Sequence, residues 1–301
     1  MGARRTDPMA TCDLKLGVVG LGALGRPMAV NLINAGFRTQ LHNRNRAAEA
    51  GNDLASAHRC ASPAEAANGV DVLLLCVSDD DAVEAVLFGA GGASEGLSPG
   101  CVVLDCSTIS PAKAIHCAER LALVGVSYLD APVTGGTEGA KAGSLTVLVG
   151  GEACALNLVR PVLEVIGSTV HHFGAVGRGQ QVKAVNQVLV AGSYAAVAEA
   201  MALGQRLQLP MKQVVEALKG GAAGSWALTH RAEGMLAGTY PLGFKLALHH
   251  KDLGIALSSA ASVQLELPIS RLVQQQEAEL MGRGHGDEDV SALHRRIVTI
   301  S

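Results

Sequence analysis

Lys183, Asn186 and Gln187 stand together near the start of GRGQQVKAVNQVLVAGSYAAVAEAMALG, Gly177 to Gly204, a stretch that otherwise reads as one long helix of Ala, Val and Leu. At spacings of three and four residues they share one helix face. A solvated stripe is the ordinary reading of a polar helix face, though such a stripe would stay polar along its length. Here the face continues through Val190, Ala191 and Tyr194, so the polar patch lasts about one turn. Lysine is seldom buried without a partner or a purpose. An ammonium held there can stabilise negative charge growing on a carbonyl oxygen and give it a proton. Desolvation lowers the pKa of such a lysine toward the working pH, where general acid–base catalysis contributes about 10²–10⁴-fold. In the opposite direction the neutral amine takes a hydroxyl proton. Asn186, one turn along, is placed to hold the substrate oxygen or to orient Lys183.

Two glycine-rich turns offer binding chemistry. Gly20-Leu21-Gly22-Ala23-Leu24-Gly25 follows a strand-like run and opens a helical one, the context that gives G-x-G-x-x-G its meaning. Glycine permits the tight turn and lets a pyrophosphate approach backbone amides at a helix start. Sites for NAD usually place a carboxylate about 20 residues further on, against the ribose hydroxyl. This chain has LHNRNR there, with Asn43 and Arg44 and no carboxylate before Glu49. Arginine suits a 2′-phosphate, so NADPH is the expected cofactor, with NADH possible. The second turn, in DAPVTGGTEGAKAGSLTVLVGG, presents the hydroxyl of Thr134 and the amides around Gly135 and Gly136. A nest of N–H donors suits a carboxylate; a glycine turn in a hairpin is the other reading.

The elements that must position these groups fall in two sets. KLGVVG, RTQLH, DVLLLCV, CVVLD, VSYLD and LTVLVGG read as strands, several of them apolar throughout as in a parallel sheet buried on both faces. Helical runs such as Pro27 to Ala35 and Pro111 to Leu121 lie between them, the second opened by Ser110 as a cap before proline. That alternation implies a doubly wound α/β fold of Rossmann type. After Gly179 only helical periodicity is legible, near 180–207, 211–219, 225–237, 244–262, 268–281 and 290–299. The expected organisation is a flexible extension at 1–14, a dinucleotide-binding domain at 15–178 and an all-α domain at 179–301.

The bulk numbers narrow the partners. At 301 residues with 49% hydrophobic and 17% charged, the chain is globular and about two domains long. A formal charge of −3 gives no footprint for nucleic acid or an anionic membrane. No apolar run reaches the ~18 residues that a membrane span needs. Seven cysteines without a C-x-x-C pair point to reduced thiols and a cytoplasmic location. His249 and His250 are adjacent and point to different helix faces, and no His, Cys and carboxylate cluster has ligand spacing, so no metal is expected. Trp226 reads as packing between helices or walling a pocket, and GDED near the C-terminus as a solvated turn.

Four segments in order, GLGALGRPMAVNL, DAPVTGGTEGAKAGSL, GRGQQVKAVNQ and HHKDLGIAL, resemble the signature motifs of the β-hydroxyacid dehydrogenase family, over roughly residues 15 to 295. That family includes 3-hydroxyisobutyrate dehydrogenase, tartronate semialdehyde reductase and L-threonate dehydrogenase. The resemblance implies that Lys183 is catalytic, that Asn186 binds substrate beside it, and that Thr134, Gly135 and Gly136 hold the substrate carboxylate. It places Thr108, in DCSTIS, and Lys251, in the KDL motif, against the cofactor; the task it gives Lys251 is closing the second domain over it. The expected cofactor-binding set is thus Gly20, Leu21, Gly22, Ala23, Leu24, Gly25, Asn43, Arg44, Val77, Thr108 and Lys251. Many members carry a second asparagine where this chain has Gln187, included here among the substrate-binding residues; NQ is more similar to the tartronate semialdehyde reductase branch. The expected reaction therefore interconverts a short β-hydroxy acid and its semialdehyde, with tartronate semialdehyde and glycerate favoured and L-threonate or 3-hydroxyisobutyrate next. A non-catalytic nucleotide-binding module and an imine reductase are the readings of other kinds; related proteins of those kinds typically lack the lysine. The family also implies a homodimer or homotetramer.

Overall fold

The computed structural model describes residues 13–299, so all but the end of the expected N-terminal extension lies outside the described residues. The chain divides into two compact units after Gln180. The first runs β1 (Lys15–Val19), α1 (Gly25–Asn34), β2 (Arg38–His42), β3 (His58–Arg59), α2 (Pro63–Ala67), β4 (Val72–Leu75), α3 (Asp80–Phe88), β5 (Val102–Asp105), α4 (Pro111–Ala122), β6 (Ser127–Asp130), β7 (Val133–Thr134), α5 (Gly136–Ala142), β8 (Leu145–Val149), α6 (Ala153–Ile166) and β9 (Gly167–His172).

Six strands form a parallel sheet in the order β3-β2-β1-β4-β5-β6. Its inner strands are apolar on both sides because both faces are covered. Leu16, Val18, Leu74 and Leu104 pack with Met28 and Leu32 of α1 and Val159 and Leu163 of α6. Val19, Leu73, Leu75 and Val103 pack with Ala66 of α2, Val83 of α3 and Cys117 of α4. Strand order reverses between β1 and β4, which opens a crevice at the carboxyl ends of the strands, where ligands bind in such sheets. Ser110 caps α4 as its sequence predicts, its hydroxyl accepting from the Lys113 N–H at 3.2 Å.

Three strands are absent from the sequence reading. β3 and β7 are two residues each, too short for any alternation to show. β9, GSTVHH, is polar and largely exposed. It lies at one side of a separate three-stranded sheet, β7-β8-β9, in which β7 runs antiparallel to β8 and β9 parallel to it.

The second unit is helical: α7 (Arg178–Arg206, which carries the chain across the division), α8 (Met211–Leu218), α9 (Trp226–Ala237), α10 (Leu246–Ser262), α11 (Pro268–Gly282) and α12 (Leu293–Thr299). Ala191, Tyr194, Ala198 and Met201 of α7 form its core with Leu228, Met235, Leu253, Val273 and Leu280. The sequence puts Val190 and Tyr194 between domains or subunits. Tyr194 instead lies in this unit's own core, with Val190 packed against it. One expectation about length is also corrected: α7 is long and apolar enough to cross a membrane by length and composition alone. Ala, Val and Leu keep it apolar on average around isolated polar positions.

GDED is a solvated turn only in part: Asp287 is exposed, but the last acid turns inward. Asp289 is fully buried, paired with Arg231 at 3.2 Å, and accepts from the N–H groups of Gly243 at 3.0 Å and Phe244 at 2.9 Å. Trp226 is 42% exposed rather than packed between helices. Its ring stacks on His230 at 4.4 Å, and the Arg231 guanidinium lies 4.6 Å from its centroid.

Candidate active site

In the first unit the expected cofactor residues gather at the carboxyl ends of parallel strands: Gly20–Gly25 after β1, Asn43 and Arg44 after β2, Val77 after β4 and Thr108 after β5. Gly20 has φ +97°, a region that favours glycine, and a side chain there would run into the Cys76 carbonyl. Gly22 differs, because a side chain on it would point into open space. No side chain caps the start of α1. An exposed glycine at an uncapped helix start is what a dinucleotide pyrophosphate requires, so these residues fit the group. Leu21 and Asn43 serve the turn from within: the Leu21 N–H donates to Asn43 Oδ1 at 2.8 Å, and the Asn43 N–H donates to Glu49 Oε1 at 2.9 Å. Glu49, the first carboxylate after β2, is buried beneath the loop and also pairs with Arg46 at 3.0 Å. Arg46 further donates to the Cys60 carbonyl. Arg44 remains exposed at the loop surface. Val77 is tied to the neighbouring strand end, its N–H donating to Ser107 Oγ at 2.9 Å.

β6 ends at Asp130, and the loop that follows reaches Thr134 at the end of β7. Gly135 and Gly136, at φ +129° and +65°, turn the backbone into α5. Asp130 has a separate task. Its carboxylate accepts from the N–H groups of Gly177 and Gln180, both at 2.8 Å, and so holds the backbone leading into α7. Burial pushes this carboxyl up to about 6, against the pull of those two N–H groups. The Gln180 side chain extends the tie by donating to the Ser107 carbonyl at 2.8 Å.

In the second unit a chain of polar contacts runs from Asn186, one turn along α7 from Lys183, to α10. Asn186 Nδ2 donates to Gln187 Oε1 at 2.6 Å, and Gln187 Nε2 donates to Asp252 Oδ2 at 2.7 Å. Lys251 Nζ lies 2.8 Å from Asp252 Oδ1 as an ion pair. Lys183 is 7% exposed, and its Nζ stands 5.9 Å from the centroid of the Phe244 ring. Burial holds the ammonium down to about 8; Asp252 opposes that fall and Lys251 adds to it. A lysine that titrates there can both give and take a proton near neutral pH.

Residues 15–174 match the NAD binding domain of 6-phosphogluconate dehydrogenase, and residues 177–297 match a family described as NAD-binding of NADP-dependent 3-hydroxyisobutyrate dehydrogenase. The chain is 34% identical over 282 residues to 2-(hydroxymethyl)glutarate dehydrogenase of Eubacterium barkeri, covering 93% of this chain and 94% of that protein. It is 37% identical over 281 residues to 2-hydroxy-3-oxopropionate reductase of Escherichia coli, covering 93% and 96%. A solved structure of 3-hydroxyisobutyrate dehydrogenase from Salmonella typhimurium superposes with TM-score 0.86 at 33% identity, over 94% of this chain and 99% of that one. The chain belongs to the β-hydroxyacid dehydrogenase family. It is an NAD(P)-dependent oxidoreductase acting on a CH–OH group.

Two residues of this dehydrogenase's lysine environment are missing from the sequence reading. Asp252 is the acid of the KDL segment, and it is the group that joins Gln187 to Lys251. Phe244 precedes α10 and supplies the ring facing Lys183. The available signal was the conjunction of one aromatic and one acid in FKLALHHKDLGIAL. One expectation about metal ligands is corrected too. Ligand atoms of His58 on β3, Cys60 just after it and Glu65 in the first turn of α2 lie within 4.8 Å of one another. Local structure accounts for the trio. Glu65 faces back along the start of α2, accepting from the Ala61 N–H at 2.6 Å, while its other oxygen lies 3.5 Å from His58.

Proposed function

We propose that this dehydrogenase interconverts a short β-hydroxy carboxylate and its semialdehyde, with tartronate semialdehyde and glycerate as the favoured pair and NADPH as the favoured reductant. The observation that carries this reading is a nearly buried lysine, held down to about 8, beside an amide chain anchored on a buried aspartate. Thr134 and the amides of Gly135 and Gly136 hold the substrate carboxylate. Lys183 stabilises the charge that grows on the carbonyl oxygen and delivers a proton to it; in the oxidative direction the neutral amine removes the hydroxyl proton. Asn186 fixes the same oxygen. Bound NADPH supplies the hydride. Gln187 supports the tartronate semialdehyde pair, because the residue following Asn186 differs here from the second asparagine of many 3-hydroxyisobutyrate dehydrogenases. Arg44 supports NADPH: it is exposed after β2, whereas the nearby carboxylate Glu49 is buried and engaged.

Initial rates with a panel of three- and four-carbon hydroxy acids and semialdehydes, each with both cofactors, test the reading. The highest kcat/KM is expected for tartronate semialdehyde with NADPH. A clear preference for L-threonate or 3-hydroxyisobutyrate would replace the substrate, and a clear preference for NADH would overturn the role of Arg44.

A further inference from the structure

Glu277 of α11 and His249 of α10 form a fully buried pair that the proposed chemistry does not use. His249 Nδ1 lies 2.5 Å from Glu277 Oε1, and Nε2 lies 3.4 Å from the carbonyl oxygen of Gln187. A carbonyl only accepts, so Nε2 carries a hydrogen. The second proton lies between Nδ1 and the carboxylate, and wherever it sits the pair is net neutral. The same imidazole meets the Phe244 ring edge-on, with centroids 5.6 Å apart at 77°.

His249 therefore touches Gln187, one turn along α7 from Lys183, and Phe244, whose ring the Lys183 ammonium faces. Gln187 is held to α10 at both ends, by its side-chain amide on Asp252 and by its carbonyl on His249. The Phe244 ring meets both the imidazole and the Lys183 ammonium. Stability alone does not explain the pair. Removing two such groups from water is costly, and apolar residues of similar volume usually pack in their place with little or no loss. What apolar residues do not supply is a directed hold on a carbonyl and a ring at one time.

We propose that His249, locked by Glu277, is a positioning residue that fixes Gln187 and Phe244 and through them the placement of Lys183. This rests on the reading of Lys183 as the acid–base group. The decisive variant is His249→Phe with Glu277→Met, which removes both polar partners and leaves no buried charge unpaired. Its thermal midpoint is expected to stay near that of the wild type, and KM for cofactor to stay within about twofold. Misplacement of reacting groups by about 1 Å costs up to about 100-fold, so kcat is expected to fall by about 10- to 100-fold. A second readout needs no turnover: the pH dependence of acetic anhydride labelling at Lys183, followed by mass spectrometry. With Phe244 released and water admitted, Lys183 is expected to titrate above about 8, toward the ordinary lysine range. The single variant Glu277→Gln keeps a hydrogen-bond partner for Nδ1 and is expected to recover most of kcat; it also serves as the test if the double variant does not fold, kcat then falling less than tenfold but measurably. Wild-type kcat with an unmoved Lys183 titration, in the double variant or, if that does not fold, in Glu277→Gln, overturns the positioning role. Lys183→Ala retaining full turnover fails the underlying reading instead, and the labelling curve still decides whether the pair positions the lysine.

Discussion

Lys183 is disfavoured where it stands, and that has a measurable consequence. Its pKa falls from 10.5 to about 8 in the folded protein. The unfolded chain thus binds more protons between those values, and stability rises with pH through that window; below about 8 the penalty is fully present. Lys183→Met is expected to gain roughly 2–3 kcal/mol at pH 7, a gain that shrinks as pH rises from 8 toward 10. Urea unfolding at several pH values checks this, and an unchanged midpoint would show that the lysine is not desolvated. Asp252 acts in the opposite sense, since its charge supports the ammonium. Asp252→Asn is expected to move the Lys183 titration below about 8, read by pH-dependent labelling; a rise would contradict the role given to that carboxylate.

At the scale of elements, the turn before α10 hangs on one buried acid. Asp289 binds the N–H groups of Gly243 and Phe244 and pairs with Arg231. Breaking a buried pair from one side costs about 3–5 kcal/mol, so Asp289→Ala is expected to lose that much in urea unfolding. A loss below about 1 kcal/mol, the scale of an exposed pair, would show that the site is not sealed. The helices were legible because their apolar periodicity and caps are strong; Ser110 before Pro111 and Ser225 before Trp226 both cap as serine should. β3 and β7 were not, because two residues carry no period, and the burial of Asp289 was not, because an acid among acids looks solvated until Arg231 folds against it. Lys183, Asn186 and Gln187 could be found from spacing on one helix. Phe244 and Asp252 leave only the trace of one aromatic and one acid in FKLALHHKDLGIAL, and the His249–Glu277 pair leaves none, because the contacts that give them meaning join α7, α10 with the turn before it, and α11 across long stretches of chain.

At the scale of the whole molecule, we propose self-association through α7. Val185, Leu189 and Leu203 are exposed on this helix at 62%, 70% and 61%, and Leu207 just beyond it at 60%. Their spacing places them on one side, an apolar stripe of the kind that marks an interaction surface. Light scattering after size exclusion is expected to give a dimer or tetramer mass for the wild type and a smaller species for Leu189→Glu; a monomeric wild type would refute the assembly. The central claim remains the acid–base role of Lys183, and one measurement reaches it most directly: kcat for semialdehyde reduction as a function of pH, for wild type and Lys183→Ala, at saturating NADPH. The wild-type rate should fall as pH rises through about 8, where the lysine loses the proton it must donate, and the variant should lose about 10²–10⁴-fold with that limb gone. A variant with near-normal kcat and the same alkaline limb would contradict the account.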